Sequence, residues 1–303
     1  MEKFEVPYGG LNVGEIVSIP SLGDFRIGRG IHENSDTRAR IFHATSVKKS
    51  HSGIIVKHAP SYIMRKYYEA AAPARDGLTA VSPYDLSRYL AINDTSDPFV
   101  AVALNYIPGD TLSFREILDR PHSAQRVHRV IDETRGLVRI VGAIMEGGMV
   151  HRDIAPRNVL VTPEGKVAVI DPDFLRPCDS EDAKEQQVGN LFTISPEIAR
   201  RCGATRTSDM YSAASTAFLS LADPLSTSIF DHHARVLLER KTHGTFLPEN
   251  LADEFKSSMK SYPEACHQAL GWLQQFILRS TCEEWEKRPQ SAQEALAILN
   301  GRD

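Results

Sequence analysis

Long apolar runs are missing from this 303-residue chain. No stretch approaches the roughly eighteen consecutive apolar residues that a membrane-spanning helix requires, and the opening MEKFEVPYGG has no apolar signal core. A soluble, cytoplasmic protein is expected, and an effector exported by a non-classical route would have the same profile. Cysteine is scarce: Cys178, Cys202, Cys266 and Cys282 are widely separated, with no CxxC and no Cys/His spacing suited to zinc. That argues against a disulfide scaffold or a zinc site and for reduced thiols. An excess of one charge is also lacking, because 35 basic residues stand against 39 acidic ones, a net charge of −4. No basic field draws the chain to nucleic acid or to an anionic membrane, and neither partner is expected. Repeats and low-complexity tracts are absent too. What is present, 42% hydrophobic and 24% charged residues, suffices for a substantial core in one large or two modest domains.

The character of the chain changes near residue 108. Before it, FRIGRG (25–30), RARIFHAT (38–45), SGIIVKH (52–58), YLAIN and PFVAVALNY read as strands of a five-stranded antiparallel sheet. One helix interrupts them, over YIMRKYYEAAAPAR up to the residue before Pro73. The first twenty residues are free to add a further strand or a cap. After the turn IPGD, helices are expected over Thr111–Asp119 and Ser123–Glu146. The second is the clearest in the chain: Val127, Val130, Ile131, Leu137, Val138, Val141, Ile144 and Met145 recur at three- and four-residue steps before Gly147-Gly148. ASTAFLSLA, WLQQFIL and AQEALAIL continue the helical pattern. The fold class is α+β, divided into a small N-terminal lobe at 1–107 and a helical lobe at 108–303.

Chemistry concentrates in VHRDIAPRNVLV and the KVAVIDPD that follows. Asp153, Asn158 and Asp171 offer three oxygen-bearing side chains on a loop and at a strand end. Asn and Asp are hard oxygen ligands of the kind Mg²⁺ prefers, and a nearby Asp can accept a proton from an attacking hydroxyl. Such a set suits phosphoryl transfer, which needs positioned charges more than covalent help. Taken alone, HRD reads equally well as a polar turn.

The series resembles the eukaryotic-type protein kinase family. HRDIAPRN fits its H-R-D-x-x-x-x-N loop without a gap, and Asp171 follows Asp153 by eighteen residues, as the D-F-G aspartate does. SPE at 195–197 stands for A-P-E, SDMYSAA resembles the start of the long core helix, and Arg288 occupies the place of the arginine that pairs with the A-P-E glutamate. The resemblance implies a bilobal fold whose small antiparallel-sheet lobe with one helix binds ATP. It implies Asp153 as base, Asn158 and Asp171 as ligands of Mg²⁺ or Mn²⁺, and Lys57 in GIIVKHA on the α- and β-phosphates. Glu69 is implied as partner of Lys57, Gly28 and Gly30 as a shortened glycine loop, and Ala44 as an alanine floor. IHENSDT after Gly30 reads as a polar insertion in that loop. Leu104 becomes the gatekeeper, with Asn105 to Ile107 as an adenine-binding hinge.

Structural roles follow for His151, for Asp209 beneath the catalytic loop, and for a Glu197–Arg288 ion pair. Arg152 is implied to hold a phosphorylated activation-segment residue, with Ser180 and Thr193 as candidates. A protein substrate of unknown identity is implied, and the oligomeric state stays open. Ala155 stands where serine/threonine kinases carry lysine, and Arg157 stands where tyrosine kinases carry arginine. Gly189 and an Asn190 amide able to bond Asp153 favour serine/threonine. Three alternatives remain. One is a pseudokinase scaffold, suggested by the altered glycine loop and by Pro172-Asp173. Another is a small-molecule kinase, because IDPD resembles the looser I-D-x-x of aminoglycoside and choline kinases. An unrelated α+β binding domain is the third. Pro172 fixes φ and lacks a donor, so a stiffened segment start is expected.

Overall fold

The computed structural model describes residues 11–19, 21–34, 39–47, 54–70, 86–87, 89–93, 99–112, 123–178, 180, 188–221 and 260–302. They form two compact units, one drawn from residues 11–70 and 87–106, the other from Leu86 and residues 107–302.

The first unit is a six-stranded antiparallel sheet of β1 (Ile16–Ile19), β2 (Gly23–Asn34), β3 (Ala39–Ser46), β4 (Ile54–Pro60), β5 (Tyr89–Asn93) and β6 (Phe99–Asn105), in the order β1-β2-β3-β4-β6-β5. Its strands are apolar on both faces because both faces are covered. Ile54 and Val56 of β4 join Phe25, Phe42, Ala44, Ala101 and Ala103 in one apolar cluster. Ile55 and Ala59, of opposite parity, join Val100, Val102, Leu104 and Met64 in another. The second cluster is closed by α1 (Ser61–Ala70), with Tyr67 and Tyr68 packed beside Met64. The sheet has one strand more than the five read from sequence, β1, which comes from the N-terminal stretch. The polar insertion was misplaced as well. Ile31–Asn34 continue β2 and pair with β3, past register shifts on either side of Gly30. Backbone pairing outweighs the polar side chains of that stretch. Helix α1 is described to Ala70, and the remainder of the expected helix lies outside the described residues, as do 113–119, 181–187 and 222–259.

The second unit is organised by α2 (Ala124–Glu146), whose buried stripe is the periodic set read from sequence. Ser123 caps it, its Oγ accepting the Arg126 N–H at 3.1 Å, and Gly148 at φ 70° turns the chain away. Asp110–Thr111 form a short strand, β7, ahead of the helical Leu112, on the edge of β9 (Val159–Val161), which pairs in turn with β10 (Val167–Val169). β8 (Met149–Val150) pairs with β11 (Arg176–Pro177). The helices α3 (Pro196–Ala199), α4 (Ser208–Leu221), α5 (His267–Ser280) and α6 (Ala292–Leu299) complete the unit. Helix α4 is buried along nearly its whole length, and its run of Ser and Ala lets neighbouring elements approach on all sides. Arginines finish several helices. Arg126 donates to the Ser220 carbonyl at the end of α4, Arg206 to Met145 on α2 and Arg135 to Leu299 on α6. Cations suit these ends, where carbonyls lack intrahelical partners. Among the described residues no helix is long and apolar enough to cross a membrane.

Candidate active site

The loop between β8 and β9 is held from below by Asp209, in the first turn of α4. Its carboxylate accepts the backbone N–H of His151 at 2.5 Å and of Arg152 at 2.9 Å. Arg152 sits at φ 68°, a left-handed conformation that costs a non-glycine residue about 1 kcal/mol or more and that these two bonds hold in place. His151 is wholly buried, and burial lowers its pKa, so the ring stays neutral. Its Nδ1 is placed to accept the Asp153 N–H at 3.4 Å. Histidine here is scaffold.

The Asp153 carboxylate is almost completely buried, yet both its oxygens are engaged. Nη2 of Arg157 donates to Oδ1 at 3.2 Å and to Oδ2 at 3.1 Å, and Nδ2 of Asn158 donates to Oδ2 at 2.7 Å. Burial pushes the Asp153 carboxyl above the usual carboxylate range; Arg157 opposes that push, and the nearby Asp171 charge adds to it. Asn158 Nδ2 also donates to the Asp153 carbonyl at 2.9 Å, leaving Oδ1 uncommitted among the described residues. The Ile170 N–H donates to the Asn158 carbonyl at 2.9 Å, so Asn158 and Asp171 leave the same end of the β9–β10 ladder.

Asp171 itself lies at φ 63°, ahead of a single 3-10 turn at Pro172–Phe174. Among the described residues no cluster of three His, Cys, Asp or Glu could cage an ion. An amide oxygen and a carboxylate nevertheless fit Mg²⁺, which is commonly held by one or two protein oxygens together with phosphates and water.

In the sheet unit, Lys57 is buried on β4, paired across to Ile41 and Val102. Its parity puts it on the face that α1 covers, with Ile55 and Leu104. Two of its expected neighbours are elsewhere. Ala44 points into the opposite apolar cluster, so Ile41 and Ile55 are the apolar residues beside Lys57. Period-two alternation counted from Lys57 would have identified them. Glu69 is exposed and makes no ion pair with Lys57. At 3.6 residues per turn it points about 140° away from Met64, which faces the sheet.

Gly28 and Gly30 lie within β2 and not in a turn; at Gly28 a Cβ would stand 2.8 Å from the His43 carbonyl oxygen. Asn105 ends β6, paired with Ile54, and the exposed Tyr106 meets His43 edge-on at 5.0 Å. Ile107 belongs to the helical unit, where it packs with Leu160, Ala168 and Ile170. Ile170 immediately precedes Asp171, and Leu160 lies two residues after Asn158.

The segment after Asp171 is fastened by two buried arginines. Arg152 Nε donates to the Phe174 carbonyl at 2.8 Å, and Arg176 Nη1 donates to Asp173 at 3.0 Å and to Leu175 at 2.7 Å. Further on, Gly189 at φ 110° presses against the catalytic loop: a Cβ there would come 2.3 Å from the Arg152 carbonyl oxygen. Asn190 departs from expectation, because its Oδ1 accepts the Phe192 N–H at 2.9 Å and caps its own turn in place of bonding Asp153. Thr193 is buried, and Ser180 donates its hydroxyl to the Pro177 carbonyl at 2.9 Å. The Glu197–Arg288 pair is bidentate, at 2.7 and 2.8 Å, and Ser208 donates to Glu197 at 2.6 Å. Burial alone would raise the Glu197 carboxyl, but the Arg288 hydrogen bonds and charge bring it below its ordinary value.

Comparison with known proteins agrees with this geometry. A probable serine/threonine-protein kinase of Streptomyces coelicolor is 31% identical over 160 residues, 50% of this chain and 23% of that protein. The serine/threonine-protein kinase PknB of Mycobacterium tuberculosis is 23% identical over 205 residues, 66% of this chain and 30% of that one. The chain thus spans less than a third of the length of these relatives. The solved structure of vaccinia related kinase 3 superposes with a TM-score of 0.68 at 15% identity, covering 96% of this chain and 90% of that one, a likeness of fold. The family model described as protein kinase domain matches residues 84–298, which carry the loop on Asp209, the Asn158–Asp171 ladder end and the Glu197–Arg288 pair. With most of its length inside that match, the chain belongs to the protein kinase domain family.

Proposed function

We propose that the protein transfers the γ-phosphoryl group of ATP to serine or threonine hydroxyls of a protein substrate. The observation that carries this reading is that Asn158 and Asp171 leave one end of the β9–β10 ladder and that Asn158 bonds Asp153, which lies in the loop anchored by Asp209. Asp153 orients the acceptor hydroxyl and takes its proton. Its largely buried carboxylate, held by Asn158, has little freedom to turn away. Asn158 Oδ1 and Asp171 would hold Mg²⁺ or Mn²⁺, which supplies charge neutralisation for the phosphates when bound. Lys57 is the cation offered by the sheet unit to the α- and β-phosphates. Ile107, Leu160 and Ile170 offer an apolar surface to the adenine, and Asn105 with Ile107 offers backbone hydrogen-bonding groups. Protein substrates are favoured over small molecules by the Glu197–Arg288 anchor, which fixes the end of a segment on which a polypeptide can lie.

The test is transfer of labelled phosphate from Mg-ATP to a generic protein substrate by the wild type, beside Asp153→Ala and Asp171→Asn. Both substitutions should reduce turnover by at least about a hundredfold; transfer that survives both refutes the assignment. Product analysis should find phosphoserine or phosphothreonine, and phosphotyrosine alone overturns that preference. One observation favours a second reading, nucleotide binding without transfer: Glu69, the glutamate implied by the kinase resemblance, faces solvent. Tight Mg-ATP binding by a wild type that transfers nothing would establish it.

A further inference from the structure

Arg157 and Asn158 follow one another in the 3-10 turn Pro156–Asn158, and both donate to Oδ2 of Asp153. Asn158 is buried, whereas the Arg157 side chain is 56% exposed. Only one of its nitrogens is used, because Nη2 bridges both Asp153 oxygens at 3.1 and 3.2 Å. Nε and Nη1 make no hydrogen bond among the described residues, and the bridge to Asp153 fixes the direction in which they point. A guanidinium edge with vacant donors matches a carboxylate or phosphate bidentately. Its half-exposed link to Asp153 is weak enough to be shared with an arriving anion. Neither Ala155 nor Asn190 contributes a competing contact to the Asp153 carboxylate, the first being apolar and the second capping its own turn.

We propose that Arg157 determines specificity, selecting acceptor hydroxyls that have an anionic side chain within a residue or two in the substrate sequence. The inference rests on Asp153 being the base, since that is what places Arg157 beside the acceptor. The phosphoryl oxygens of the nucleotide are the other possible source of an anion. The exposure of Arg157 argues against them, because Asn158, the residue read as a metal ligand, is buried while the Arg157 side chain faces solvent.

The experiment uses the full chain with Mg-ATP and matched serine peptides carrying one Glu, one Gln or one Lys at each position from two before the acceptor to two after it. For at least one position, kcat/KM should favour Glu over Gln by about tenfold, mostly through the peptide KM. In Arg157→Gln that ratio should fall below about twofold, and in Arg157→Glu the best Lys-flanked peptide should overtake its Glu counterpart. Three outcomes overturn the proposal: no Glu preference in the wild type, a preference that persists in Arg157→Gln, or a raised KM for ATP in Arg157→Gln with the preference intact. Asp153→Asn in parallel tests the underlying reading. Turnover that survives there removes the base and the proposal with it, whereas lost turnover there beside an unchanged Glu/Gln ratio in Arg157→Gln refutes the proposal alone.

Discussion

Replacing Arg288 by methionine while Glu197 stays in place is expected to cost about 3–5 kcal/mol of folding stability, the usual penalty for leaving one partner of a buried ion pair alone. The upper half of that range is appropriate here. The Arg288 side chain is fully buried and that of Glu197 only 10% exposed, so water cannot replace the lost guanidinium. After the substitution Glu197 keeps only neutral donors, Ser208 at 2.6 Å and Thr205 at 3.3 Å. Two further bonds from Arg288, to the Cys282 carbonyl at 2.7 Å and the Glu283 carbonyl at 3.2 Å, also disappear. Methionine is preferred to alanine because it retains packing on the Tyr211 ring, over which the guanidinium lies at 5.1 Å. The double variant Glu197→Gln/Arg288→Met should recover more than half of the loss, because no charge is then stranded.

Urea unfolding at neutral pH measures both variants. In the wild type the folded pKa of Glu197 is depressed, so its contribution is complete above the unfolded value near 4.3 and is lost as pH falls through the folded value. In Arg288→Met only neutral donors such as Ser208 oppose burial and the folded pKa rises above the unfolded one, so the variant gains relative stability as the pH is lowered. The gap between the two should therefore be widest at neutral pH and should narrow on acidification toward pH 4. A cost below about 1 kcal/mol, or a gap independent of pH, would refute the argument that a buried charge is being left alone.

Three further outcomes are expected. Gly189→Ala should reduce kcat at least tenfold with little change in thermal midpoint, because the added Cβ would meet the Arg152 carbonyl oxygen at 2.3 Å beside the catalytic loop; full activity would contradict that contact. Ser180→Ala and phosphatase treatment should each leave activity within about twofold. The start of the segment is already held by Arg152 on Phe174 and Arg176 on Asp173 and Leu175, and Thr193 is buried; a large drop after phosphatase would show that a phosphate is required. Glu69→Gln should change the KM for ATP less than twofold, given its exposed position, while Lys57→Met raises it strongly; equal effects would return Glu69 to the site.

What could be read from the sequence was whatever depends on spacing within one loop or one helix. HRDIAPRN is short enough that Asp153, Arg157 and Asn158 must be neighbours, and the stripe from Val127 to Met145 is a property of a single helix. Partners distant in sequence were legible only through the resemblance to protein kinases, as with Asp209 under the loop and Arg288 on Glu197, 91 residues away. Misreadings arose where direction mattered more than proximity. Ala44 and Glu69 are near the expected positions in the chain, but strand parity turns one to the other face of the sheet and helix phase turns the other to solvent.

Asn190 failed for a different reason, since its side chain chose a backbone partner two residues away over a carboxylate in another loop. Short polar side chains favour such local bonds, because closing a two-residue ring costs far less entropy than fixing two loops together. The same reasoning explains why Arg157 reaches Asp153 and Asn190 does not. The arginine starts on the same loop as Asp153, which two hydrogen bonds from Asn158 already position, so its bridge to the base requires no ordering beyond its own side chain.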